Sequence, residues 1–138
     1  SYETAARWYR KAADQGYAYS QRNLGLLYET GQGVDRSYKT AAMWYGKAVD
    51  QGNAAAHVNL GVLYETGRGV VKSPAKAVDL YIESLRRGDN WVATEERRWD
   101  GATAREMQSQ LKALGLYDGL IDGNIGAGSR NAMRTLLP

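Results

Sequence analysis

Few side chains in this sequence are suited to acid–base, nucleophilic or metal chemistry. His57 is the sole histidine and cysteine is absent, which removes disulfides and thiolate metal sites. A Ser–His–Asp relay needs a base held in place by a carboxylate, and no acidic residue is positioned by the sequence to hold His57. Glycoside hydrolysis needs two carboxylates roughly 5–10 Å apart across the bond. The acidic candidates are Glu29 and Glu65, which sit at matching places in two copies of one string, and Asp118 and Asp122, which each precede a glycine. Asp-Gly pairs are turn formers. Gly31-x-Gly33 and Gly67-x-Gly69 follow helical segments, whereas a phosphate-cradling loop joins a strand to a helix. These patterns predict a chain without a catalytic centre, metal or cofactor.

The elements that would position any site are repeats. Asn23-Leu-Gly-Leu-Leu-Tyr-Glu-Thr-Gly-Gln-Gly-Val34 recurs as Asn59-Leu-Gly-Val-Leu-Tyr-Glu-Thr-Gly-Arg-Gly-Val70, an offset of 36 residues. Trp8-Tyr9-x-Lys11-Ala12 recurs as Trp44-Tyr45-x-Lys47-Ala48, then loosely as Leu80-Tyr81. Ser1, Ser37 and Ser73 keep the same spacing. A fixed period of this length is the mark of a solenoid.

Each unit reads as two helices. In Ala18–Thr30, Leu24, Leu27 and Tyr28 fall on one face, with Gly25 free for a close helix contact. Gly31 ends that helix, and Ser37 caps a second one running to Asp50. Ser73-Pro74 supplies the same cap with proline in the first turn. Ala41, Trp44, Tyr45 and Ala48 form a buried stripe. Past Gly88-Asp89 the Leu-Gly signature is lost. The expectation there is a short capping helix over Asn90–Arg98, with Trp91 and Val92 covering the last repeat.

These residues resemble the Sel1-like repeats, relatives of the tetratricopeptide repeats. Leu24, Gly25, Tyr28, Gly31, Gly33, Val34, Ala41, Trp44, Tyr45, Lys47, Ala48 and Gly52 fit the family pattern, with Ser20 in place of its alanine. The next unit fits at Ala56, Leu60, Gly61, Tyr64, Gly67, Gly69, Val70, Ala77 and Tyr81, with Leu80 where tryptophan is usual. The resemblance covers residues 1–89, two and a half units, so the expectation is a segment of a longer chain. It implies a concave face that takes protein partners, carried by Tyr19, Arg22, Leu26, Glu29 and Thr30 and by Ala55, Val58, Val62, Glu65 and Thr66.

A different pattern follows. Thr103-Ala-Arg-Glu106 reads as a capping box opening a helix with Met107, Leu111 and Leu114 on its apolar face, stopped at Gly115. A glycine-rich stretch leads to a last helix capped by Ser129 and carrying Ala132, Met133, Leu136 and Leu137. Gln108, Leu111, Leu114–Tyr117, Gly119, Ile121–Gly123, Ile125, Gly126, Ser129, Ala132 and Met133 resemble the small three-helix peptidoglycan-binding module. Ile125 replaces its usual aromatic and Ser129 its threonine. The resemblance implies a glycan groove using Tyr117, Asp118, Asp122, Asn124, Arg130 and Asn131.

The expected fold is therefore all-α: a short α-solenoid over 1–89, a capping helix or linker over 90–102, and a small helical module over 103–138. The short connection, with Trp91 and Trp99, favours docking of that module on the repeats. The module order resembles the periplasmic end of polar localisation factors of the PodJ type. That likeness implies a periplasmic scaffold, membrane-anchored upstream, with protein partners on its repeats and peptidoglycan at its tip. An accessory subunit of a wall hydrolase and a structural spacer are the alternatives. Net charge is +3. Residues 1–89 hold twelve basic and nine acidic residues, and 90–138 hold six of each. That even spread lacks the basic stripe of a nucleic-acid binder. No run nears the roughly 20 apolar residues of a membrane span, so no membrane contact is expected within this segment.

Overall fold

In the computed structural model, which describes residues 1–94 and 97–138, the 36-residue period becomes a stack of antiparallel helix pairs. The helices are α1 (Tyr2–Asp14), α2 (Ala18–Thr30), α3 (Tyr38–Asp50), α4 (Ala54–Thr66) and α5 (Pro74–Arg86). A single 3-10 turn (Trp91–Ala93) then leads to α6 (Gly101–Ala113) and α7 (Ala127–Arg134). No strand occurs among the described residues. The fold is all-α, as expected.

Local chemistry explains the boundaries. Ser1, Ser37 and Ser73 each accept the backbone N–H three residues on, at 3.2, 3.1 and 3.2 Å. Each satisfies one of the amides that a helix start leaves unpaired. Asn53 does the same for α4 at 2.8 Å. Gly31 and Gly67 end α2 and α4 in the left-handed conformation, φ 71° and 70°, where a Cβ would be strained.

Packing uses glycine and aromatic residues in register. A Cβ on Gly25 would stand 2.6 Å from the Tyr45 ring, and one on Gly61 would stand 2.5 Å from the Tyr81 ring. Only a bare backbone lets these rings lie flat against the preceding helix. Ala41, Trp44, Tyr45 and Ala48 are all buried, which is the stripe read from spacing.

The last repeat and the terminal helices share one apolar cluster. Val78, Tyr81, Ile82 and Leu85 of α5 pack with Val92 and Ala93 of the turn, Met107 and Leu111 of α6, and Ala132 and Met133 of α7. Trp99 meets Tyr81 edge-on at 5.8 Å. The terminal residues thus fill the place against α5 where another repeat would stack.

Three expectations from the sequence change here. The segment after Asp89 forms one 3-10 turn rather than a helix over Asn90–Arg98, with Asp89 Oδ1 accepting the Trp91 N–H at 2.9 Å. Glu95 and Glu96 lie outside the described residues. The cap of α6 is Asp100, not Thr103: Asp100 Oδ2 accepts both the N–H and the hydroxyl of Thr103 at 3.1 Å. A carboxylate accepts two donors there, and Thr103 becomes a buried residue of the first turn. Finally, α7 begins at Ala127, so Ser129 is inside it and buried. Its hydroxyl is used by Gln108 instead, at 3.3 Å.

Candidate functional site

A groove of about 380 Å³ lies between α2 and α4 and is bordered by the segment after α5. Arg22 and Glu29 come from α2, Ala55, Val58, Asn59 and Val62 from α4, and Asp89 and Trp91 from that segment. Helical spacing explains the set, since 55, 58, 59 and 62 fall on one face of a 3.6-residue helix. Five of the ten residues expected on the concave face, Arg22, Glu29, Ala55, Val58 and Val62, therefore line one groove.

The other five have different surroundings. Tyr19 projects from the first turn of α2 and is 69% exposed. Leu26 packs on the cluster of Ala41, Tyr45, Leu60 and Leu63. Thr30 and Thr66 turn their hydroxyls back onto their own helices, donating to Leu26 O and Val62 O at 2.8 Å.

Glu65 departs from the expected face. It does not offer its carboxylate to the concave surface, because the chain's own terminal segment covers it. Tyr81 Oη donates to Glu65 Oε1 at 2.6 Å, Arg97 Nη2 at 2.5 Å, and the Asp100 N–H reaches Oε2 at 2.9 Å. The Arg97 and Glu65 side chains are 3% and 5% exposed. The Arg97 guanidinium lies 3.7 Å from the Trp99 ring centroid, 4.8 Å from Tyr81 and 4.9 Å from Trp91. A buried charge needs a counter-charge, which Glu65 supplies to Nη2; Nε and Nη1 have no hydrogen-bond acceptor and lie among the aromatic faces instead.

Burial pushes the Glu29 carboxyl above its ordinary range, against the opposing pull of Tyr45, Arg68 and Arg22. Burial likewise pushes the hydroxyls of Tyr45 and Tyr81 upward, so both remain protonated donors. The Tyr45 hydroxyl faces the Glu29 carboxylate and is its main polar neighbour. Arg22 is committed sideways, its Nε donating to Asn59 Oδ1 at 2.8 Å. His57 is buried with Nδ1 2.7 Å from Asn53 O, a contact at the start of α4. Among the described residues no group of three or more His, Asp or Glu could hold a metal ion.

The repeat frame that carries this groove has a family. The Sel1 repeat matches residues 1–17, 18–53 and 54–89, each boundary falling between helices of the stack. The chain belongs to the Sel1 repeat family. Sel1 repeats generally mediate protein–protein interaction. Among solved structures, the Sel1 repeat protein from Oxalobacter formigenes is similar over 84% of this chain and 51% of its own, with 33% identity and a TM-score of 0.64. A protective antigen present in uropathogenic Escherichia coli strains, displaying an SLR fold, is similar over 78% of this chain and 21% of its own, with 32% identity and a TM-score of 0.61. The chain thus spans about half of one neighbour and a fifth of the other. No curated protein matches it.

At the far end, most of the residues expected to form a glycan groove are bonded to other groups of the same terminal module. Gln108 is fully buried and ties the loop together. Its Nε2 donates to Asp122 Oδ1, Asn124 O and Ser129 Oγ, and its Oε1 accepts the Gly123 N–H. Asp122 also accepts the Asn124 N–H at 2.9 Å, and these bonds hold its carboxyl below the usual range. Tyr117 Oη donates to Leu120 O, Arg130 Nη1 to Ile125 O, and Asn131 Oδ1 accepts from Arg134. Asp118 is exposed at the turn. Composition alone could not reveal Gln108 as the hub; its place three residues before Leu111 on the α6 core face was the available signal.

Proposed function

We propose that this Sel1 repeat chain is a non-catalytic scaffold that captures a segment of a partner protein in the groove between α2 and α4. The observation that carries this reading is the groove itself. Apolar Ala55, Val58, Val62 and Trp91 lie beside Glu29, Arg22 and Asp89, an apolar floor with polar groups at its edge. The terminal residues 97–138 close the solenoid end and fix the groove's outer wall through Trp91. A periplasmic address, an upstream membrane anchor, a role in polar localisation and a wall-binding tip belong to the same proposal. The wall-binding tip rests on the likeness of residues 103–138 to the peptidoglycan-binding module, and the other three on the order of repeats and module, which resembles that of polar localisation factors of the PodJ type.

The test is selection of displayed random peptides on the immobilised chain, repeated with Ala55→Arg and with Met43→Arg. Met43 is 47% exposed and lines a separate groove with Lys39, Ala42 and Gly46. Peptides selected on the wild type should lose binding to Ala55→Arg and keep it for Met43→Arg. The reverse pattern would move the binding face to the other side of the stack.

A further inference from the structure

Glu29 and Glu65 occupy the same place in successive repeats, each beside a buried tyrosine whose ring presses on a helix glycine. At Glu65 the carboxylate is fully engaged. It holds a tyrosine hydroxyl, a guanidinium and a main-chain N–H. The guanidinium and the N–H belong to one short non-helical stretch, Arg97 to Asp100. The chain therefore displays, on its own last repeat, how this acidic position receives an arginine-bearing segment.

At Glu29 the equivalent position is open. Its tyrosine, Tyr45, is in place as Tyr81 is at Glu65, but none of the ion pairs within 4.0 Å among the described residues involves it. The nearby cations act on it only from beyond ion-pair distance, with Arg22 bonded to Asn59 and Asn23 and Arg68 over the Tyr38 ring at 5.4 Å. The groove beside Glu29 also carries an aromatic ring, that of Trp91, which holds Arg97 at 4.9 Å and is still 41% exposed. Its carboxylates, Glu29 and Asp89, outnumber its one guanidinium, Arg22.

We infer that Glu29 is an unfilled copy of the Glu65 receptor, and that the groove takes a non-helical partner segment presenting an arginine to Glu29. This rests on the reading of the groove as a partner site and adds the chemistry of the partner. Arginine fits better than lysine, because a planar guanidinium pairs with a carboxylate and stacks on an aromatic ring at once. Val58 and Val62 give the residues flanking that arginine an apolar floor.

The test uses a capped, fluorophore-labelled tetrapeptide Arg-Arg-Trp-Asp, copying residues 97–100, and a second peptide with citrulline replacing the first arginine. Both are titrated against the full chain, Glu29→Gln and Ala55→Arg, with melting curves showing that each variant is folded. The expected result is saturable binding to the wild type, weakened about tenfold or more by Glu29→Gln or by citrulline, with no further loss when the two are combined. Two results would overturn the inference. One is no saturation at millimolar peptide. The other is equal binding to wild type and Glu29→Gln. In the second case, loss on Ala55→Arg would leave the groove as a partner site with a different specificity. Binding indifferent to Ala55→Arg as well would remove the groove reading too.

Discussion

Replacing Arg97 with alanine tests the claim that the terminal segment is bolted to the last repeat. Arg97 and Glu65 are 3% and 5% exposed, so the substitution leaves a carboxylate buried without its cation. Breaking such a pair from one side costs about 3–5 kcal/mol, and losing the rings' hold on the guanidinium adds to that. For a chain of this length each kcal/mol lowers the melting temperature by roughly 3–5 °C, giving a fall of about 10 °C or more. Thermal unfolding followed by circular dichroism reads it. Arg97→Ala and Glu65→Gln combined in one chain should cost less than the two single changes added together, by about 1–3 kcal/mol, because both remove the same interaction. A loss below about 1 kcal/mol for Arg97→Ala, the range of exposed pairs, would refute the reasoning. Strict additivity would do so as well.

Other expectations follow from the same geometry. Gly61→Ala drives a methyl to 2.5 Å from the Tyr81 ring and should destabilise by about 1–3 kcal/mol, read as a lower urea midpoint. Gln108→Leu leaves the Gly123 N–H and the Asp122 turn without their shared partner. It should cost about 1–3 kcal/mol and speed hydrogen exchange at Gly123. Glu29 has its folded affinity for protons raised by burial, so its ionisation works against folding as pH rises through that raised value. Glu29→Gln should therefore stabilise the chain at neutral pH, with the gain vanishing below the ordinary glutamate range. Asp100 has the opposite sign: its hydrogen bond from Lys72 and its cap bonds hold the carboxyl down. Its contribution is present above the usual aspartate range and lost as acid protonates it, so Asp100→Ala should matter at neutral pH and little in strong acid.

Residues 1–89 were readable because each signal occurs at least twice. A serine cap, a Leu-Gly pair and a left-handed glycine recurring at 36 residues fix the helix pairs even where one signal fades, as at Leu80. Beyond Asp89 the repetition stops, and local cues compete. Thr103 and Asp100 could each cap α6, and Asp100 prevails because its carboxylate binds both the N–H and the hydroxyl of Thr103. Ser129 has the residue type of a cap, yet its hydroxyl serves buried Gln108. The misplacement of Glu65 has a plainer cause. Repeat register puts it level with Glu29, but only the tertiary path of Arg97–Asp100 shows that one copy is covered and the other open. The sequence held a clue in Arg97-Arg-Trp-Asp100, cationic and aromatic residues beside the last repeat, without saying which carboxylate they would meet.

The most direct test of the central claim is backbone amide and Trp indole NMR of the full chain, titrated with a peptide selected on it. The account predicts shifts confined to α2 around Glu29, α4 around Ala55 to Val62, and the Trp91 indole, with the Gly123 and Asn124 amides unmoved. Shifts centred instead on Met43 and its neighbours, or on the loop around Tyr117, with α2 and α4 unmoved, would contradict it.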